Sequence, residues 1–412
     1  MSRPPRFAAG AAVAAILFIA GPLAAQERAK ESGDDSFRLD PYTKGIPEAL
    51  SKAGYVALNE FVFADALTTE AIEKTLGDGV QMIWVETEHF KIGSSLPEYA
   101  VADQEDKDRL KPELERLRAR LPSVPAKPPR KLDPWLRLHL TAQRCEEVYQ
   151  EFSRIFALDK ARWPTGPGQK VDGEYRGEGP YLGMSGKFTV LLFAKESSYG
   201  RIRERYLNGG GAAASARHLF ARSGSMLFAA HVQGSNLDQD AVLHCVLTYN
   251  LAFNLVDGTK YYGHAAPAWI AAGLGHALAR RITPKLNYFT DERSYTQDEK
   301  DQWNWPPRVH ARVRNKVWPS AERIFALSDL ADITYVEHMM AWSRMDYLMS
   351  ARPEGLPAFL EGVKAQINPG RAPTAEEISK RHLEAFTRAF GMDPAAFDAA
   401  WSAWVLETYP KK

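Results

Sequence analysis

Cysteine is nearly absent from this chain. Its 412 residues hold two, Cys145 and Cys245, too few for a disulfide framework, and without a Cys-x-x-Cys step there is neither a zinc ribbon nor a dithiol redox centre. An excess of charge is missing too: 52 basic residues face 51 acidic ones, a net charge of +1. That balance gives no electrostatic reason to expect nucleic acid or an anionic membrane surface as partner. No Gly-x-Ser-x-Gly elbow marks a serine hydrolase. The nearest approach to a phosphate loop, "GPYLGMSGKF", places Phe188 where a magnesium-binding hydroxyl belongs, and "NGGGAAAS" (208–215) reads as a flexible loop before a strand. Long apolar runs are missing beyond the first 25 residues.

That one run points to export. Arg3 and Arg6 precede the apolar stretch 7–20, then Gly21-Pro22 and the small pair Ala24-Ala25. The pattern predicts a signal peptide over 1–25, with an uncleaved anchor as the alternative, and a periplasmic or extracellular mature chain without stable membrane insertion. Export would permit Cys145 and Cys245 to pair, although both read as buried free thiols. A preface follows over 26–78, in which "TTEAIEKTLG" predicts a short helix capped by Thr68 or Thr69. "GVQMIWVETEHFKIG" alternates as a strand.

An insertion occupies about 100–134. "DQEDKDRLKPELERLRARLPSVPAKPPRKLDP" predicts a charged helix broken at Pro112 and closed by a proline-rich linker, acting as a solvated arm or a strap. The next helix, "WLRLHLTAQRCEEVYQEFSRIFAL", is amphipathic, with Leu138, Val148 and Phe152 on its buried face and His139 at the surface or its boundary. A second insertion, 285–319, interleaves Tyr288, Phe289, Tyr295, Trp303, Trp305 and Trp318 with Arg308, Arg312, Arg314 and Lys316. Those rings either anchor a long loop to the body or offer a platform for peptide or glycan.

The densest information lies in "AVLHCVLTYNLAFNLVDGTKYYGHAAPAWIAAGLGHALARR", 241–281. A hydrolytic zinc site of the His-Glu-x-x-His type needs two imidazoles one helical turn apart, a Glu to activate water and a carboxylate from a later helix. Here His244 fills the first position. Cys245 stands in the general-base position, Thr248 in the second-ligand position and Ala272 in the third. His244 and Cys245 are neighbours on one helix and diverge by about 100°, so they are not a nucleophile and base pair.

The frame around those positions, Pro267, Trp269, Ile270, Gly273 and Leu274, resembles the "Pro-x-Trp-Leu-x-Glu-Gly-Leu-Ala" helix of the gluzincin metallopeptidases, in particular peptidase MA-like domains of exported proteins. "HFKIGSSL", "GKFTVLLFA" and "SMLFAAHVQG" are similar to that family's sheet strands. "HMMAWSRMDYLMSA", "GLPAFLEGVKAQ" and "LEAFTRAFGMDPAAFDAAWSAWVLETYP" resemble its C-terminal helices. The resemblance implies an α+β fold: a gluzincin-like mixed sheet with active-site-type helices over 79–285, then a mainly helical subdomain over 286–412.

The expected function is a pseudopeptidase that binds an extended peptide or cell-envelope polymer without a cofactor, with "SMLFAAHVQG" as the strand that pairs with it. Losing the ligands and the Glu together is physically coherent, because a buried Glu without its metal is a costly unpaired charge. Two alternatives stay open: a zinc-dependent hydrolase with His231, His264 and His276 as substitute ligands, and a structural envelope domain.

Overall fold

The computed structural model describes residues 35–287 and 303–411, apart from 66, 78, 208 and 210–212. The expected signal peptide and Tyr288, Phe289 and Tyr295 lie outside the described residues.

Six strands form one mixed sheet: β1 (Tyr55–Leu58), β2 (Ile83–Thr87), β3 (Phe90–Ser94), β4 (Phe188–Phe193), β5 (Ser215–Phe220) and β6 (Ser225–His231), in the order β1-β2-β3-β4-β6-β5. The segment expected as one strand is the β2-β3 hairpin, folded back at Glu88-His89, with Ile83 opposite Ser94. The central strands β3, β4 and β6 run parallel, Phe188 pairing with Phe90 and Thr189 with Leu227. "FTVLLF" and "SMLFAAH" are buried at every position, as continuous apolar runs should be in strands covered on both faces.

The two-residue period sorts those side chains to opposite faces. Leu191, Phe193, Leu227 and Ala229 meet helices α2 (Thr69–Leu76) and α5 (Glu196–Tyr206), whereas Val190, Leu192, Phe228 and Ala230 belong to the larger core on the other side. Thr68 caps α2 by accepting from the Ala71 N–H at 3.0 Å. In β3 Gly93 is obligatory, since a Cβ there would lie 2.2 Å from the Trp84 ring.

On the larger-core side lie α3 (Gln104–Arg120), α4 (Pro134–Ile155), α6 (Asp240–Gly258) and α7 (Ala268–Ile282), with α1 (Pro47–Ala53) in the preface. α7 in turn packs on the C-terminal helices α8 (Trp305–Arg314), α9 (Ala321–Phe325), α10 (Tyr335–Ala351), α11 (Leu356–Val363), α12 (Ala375–Phe390) and α13 (Pro394–Thr408), chiefly on α10. Gly273 lets α7 and α10 approach closely, because a Cβ there would come within 2.6 Å of the Ala341 carbonyl. The architecture is thus α+β, a six-stranded mixed sheet with a helical C-terminal region. Residues 37–412 form one compact unit, and no helix among the described residues is long and apolar enough to cross a membrane.

Three expectations need correction. β6, the strand expected to pair with a ligand, is interior: β4 and β5 occupy both of its sides, and the sheet edges are β1 and β5. α3 runs unbroken through Pro112, which costs it one backbone bond while charged partners on either side of the proline hold the turn. His139 is fully buried, its ring nitrogens 2.7 Å from the Tyr55 hydroxyl and 3.0 Å from Asp40, so it joins the preface to α4. The Gly-Lys step, where no phosphate loop was expected, directs the Lys187 ammonium to Glu86 at 2.7 Å and the Thr87 carbonyl at 2.6 Å.

Gly93→Ala should cost about 2 kcal/mol, because Trp84 must leave its place against β3. Urea denaturation should show a lower midpoint with an unchanged slope; an unaltered midpoint would mean that the ring moves freely.

Candidate functional cleft under helix α3

α6 starts at Asp240, where a carboxylate in the first turn meets the positive end of the helix dipole. Along the helix, His244 and Thr248 share a face by their i, i+4 spacing. Cys245 and Tyr249 occupy another face, toward α7: the Cys245 thiol donates to the Ala279 carbonyl at 3.6 Å, and the Tyr249 and His276 rings are 4.8 Å apart. Both cysteines are buried and free. Burial pushes the Cys245 thiol up to about 12, so it is no nucleophile.

His244 and Thr248 open into a cleft of about 480 Å³ between α3, α4, α6 and α7. Pro112, Val148, Leu278 and Ile282 supply apolar walls. At its rim Arg116 pairs with Glu147 at 2.7 Å and Arg281 with Glu151, both pairs exposed enough to contribute little to stability.

Beneath the cleft is a buried network of opposite charges. Arg144 of α4 donates to both Asp240 oxygens, at 2.7 and 3.1 Å, and to Glu113 of α3 at 2.6 Å. Arg109 of α3 donates to Asp106 at 2.7 Å and to Glu113 at 3.3 Å, and forms an ion pair with Asp240 at 2.9 Å. Tyr99 donates to the other Asp106 oxygen, and Arg137 reaches the Pro97 carbonyl at 2.6 Å. Burial alone would raise the Asp240 pKa, but the Arg144 and Arg109 guanidiniums hold it well below the ordinary carboxylate range. Of the two expected roles for α3, a solvated arm or a strap, the structure has the strap, fastened by charges it shares with α4 and α6.

Sequence reading missed Arg109, Glu113, Arg144 and Asp240. The available signal was the placing of Asp106, Arg109 and Glu113 at i, i+3 and i+7 beside Leu110, Leu114 and Leu117, which gives α3 a face both apolar and charged.

The cleft does not fit a catalytic zinc. Burial, and next the Arg144 charge, hold the His244 imidazole well below its usual pKa, so it is neutral. Its nearest carboxylate, Glu113, is 3.7 Å away and already accepts from two guanidiniums, whose charge opposes a cation there. Ala272 is not beside them. Contacts of Cys245 with Ala279 and of Tyr249 with Gly275 set an antiparallel register that puts Ala272 level with Ala252, about 12 Å along α6 from His244. Leu278, Arg281 and Ile282 are what α7 presents to the cleft.

The substitute histidines are also apart. His231, at the end of β6, packs against Tyr199 with ring centres 5.2 Å apart. His264 lies 3.1 Å from the Val363 carbonyl through Nε2, and His276 is 3.1 Å from His338. Among the described residues, no group of three His, Cys, Asp or Glu side chains is placed to hold a metal. Trp305 is fully buried against His276 and under Arg280, and Trp318 packs against Trp401, so these two rings of the aromatic insertion anchor the C-terminal helices.

A scan against protein-family models matches no family, and no curated protein is similar to this chain.

Asp240→Asn would leave Arg144 and Arg109 short of a buried counter-charge, and should cost about 3 kcal/mol. Because the folded-state pKa of Asp240 is depressed, its contribution is complete above the ordinary value of 3.8 and is lost as pH falls below it. Denaturation measured between neutral pH and pH 3 should show a steeper acid loss for the native chain than for Asp240→Asn; parallel curves would contradict the network.

Proposed function

We propose that this is an exported, metallopeptidase-like protein that binds an extended peptide or cell-envelope polymer without cleaving it, using the cleft under α3. The observation that carries this reading is the pairing of His244 and Thr248. Each lines the cleft and is at least nine-tenths buried, and neither His244 Nδ1 nor Thr248 Oγ1 has a hydrogen-bond partner. Buried polar atoms without partners are costly, and a ligand that supplies the missing bonds recovers that cost.

The chemistry needed for hydrolysis does not accompany them. Cys245 faces α7, Glu113 is occupied by Arg109 and Arg144, and a neutral imidazole of such low basicity is a poor proton acceptor near pH 7. What the cleft offers is shape, apolar walls and hydrogen bonds, the constituents of a recognition site.

The purified mature chain should retain members of a peptide and envelope-polymer fragment library, and mass spectrometry should recover them intact. His244→Ala should weaken retention about tenfold, the loss of roughly one hydrogen bond. Chelator-sensitive cleavage products would replace this reading with a zinc-dependent hydrolase. No retention at all would remove it.

A further inference from the structure

We propose that the group held in this cleft is uncharged, with an amide or hydroxyl head on an apolar body. This inference rests on the reading of the cleft as a binding site and specifies what enters it.

The charges around the cleft leave little room for a charged ligand. Arg109, Arg137 and Arg144 stand against Asp106, Glu113 and Asp240, Arg116 against Glu147, and Arg281 shares Glu151 with Arg154. An anion would have to displace one of these carboxylates, and a cation one of these guanidiniums. Either exchange breaks an existing pair to make a new one, and at the buried pairs it leaves a charge without its partner.

The atoms that do lack partners ask for something else. Thr248 Oγ1 can donate or accept, His244 Nδ1 can do either according to its tautomer, and the Nε–H of Arg109 also has no acceptor. A carbonyl or hydroxyl oxygen accepts from Thr248 or Arg109, and an amide N–H or a hydroxyl donates to the imidazole. A primary amide supplies both functions, its oxygen accepting and its nitrogen donating from the same carbonyl carbon.

The walls set the rest of the ligand. Val148, Leu278, Ile282 and Pro112 have no polar side-chain atoms, so the body that lies against them is apolar. A volume of about 480 Å³ is within the range of small-molecule pockets, and admits a peptide side chain with its backbone amide or a short alkyl amide.

Four probes that share a six-carbon body and differ only in the head test this directly: hexanamide, hexanol, hexanoate and hexylammonium. Ligand-observed NMR titration of the purified chain should show hexanamide and hexanol binding about tenfold more tightly than either ion. Thr248→Val keeps the shape of the side chain and removes the hydroxyl, and it should weaken hexanamide about tenfold without lowering the thermal midpoint, since the hydroxyl has no partner in the free chain. His244→Phe should act in the same direction, and Thr248→Val still decides the matter if the Phe variant fails to fold.

Binding of hexanoate or hexylammonium equal to or tighter than that of hexanamide would overturn the proposal. So would hexanamide binding that Thr248→Val leaves unchanged. Library peptides that bind the chain while hexanamide neither binds nor displaces them would refute the ligand class and leave the recognition reading standing. If neither peptides nor probes bind, both fall.

Discussion

The contact on which the site depends is the two-pronged ion pair between Arg144 and Asp240, extended by Glu113 and Arg109. It links the consecutive helices α3 and α4 to α6, whose Asp240 lies 96 residues beyond Arg144. α4 supplies the arginine, α6 the aspartate at its first turn, and α3 closes over both. Buried ion pairs are weak sources of stability, because desolvation consumes most of the attraction, but they define which elements meet and at what register. Without this cluster nothing polar would hold α3 against α6, and the cleft would lose its roof.

From that fastening the properties of the site follow. The guanidinium beside His244 adds to burial in keeping the imidazole neutral, and the same guanidinium occupies the carboxylate nearest to it. Charge is spent on assembly, and what faces the cleft is neutral and apolar. These neutral and apolar groups are the features on which the proposal of recognition rests. The offset of Ala272 from the level of His244 points the same way, since substituting a ligand at 272 would not bring a third donor to the cleft.

Much of the fold was legible because it is written in local pattern. The apolar runs of β4 and β6 were read as strands through their resemblance to a known family's, and they are strands covered on both faces, while Pro267 before "AWIAAGLGHALARR" announced α7. The order of strands was not legible, since nothing in "SMLFAAHVQG" says whether its neighbours number one or two. The character of α3 was hidden for a related reason. Its charges look solvated until Arg144 and Asp240 are known to stand opposite, and no local pattern reports a partner on another helix, even one 31 residues away as Arg144 is from Glu113. His139 was obscured in the same manner, its partners Asp40 and Tyr55 lying in the preface.

The central claim is that recognition occurs under α3 and not along the sheet edge. Hydrogen–deuterium exchange, comparing the free chain with the chain saturated by a retained peptide, locates the contact directly. The account predicts added protection in 109–116 of α3 and 244–248 of α6, with β5 unchanged. Protection confined to β5, with α3 and α6 exchanging as in the free chain, would contradict it.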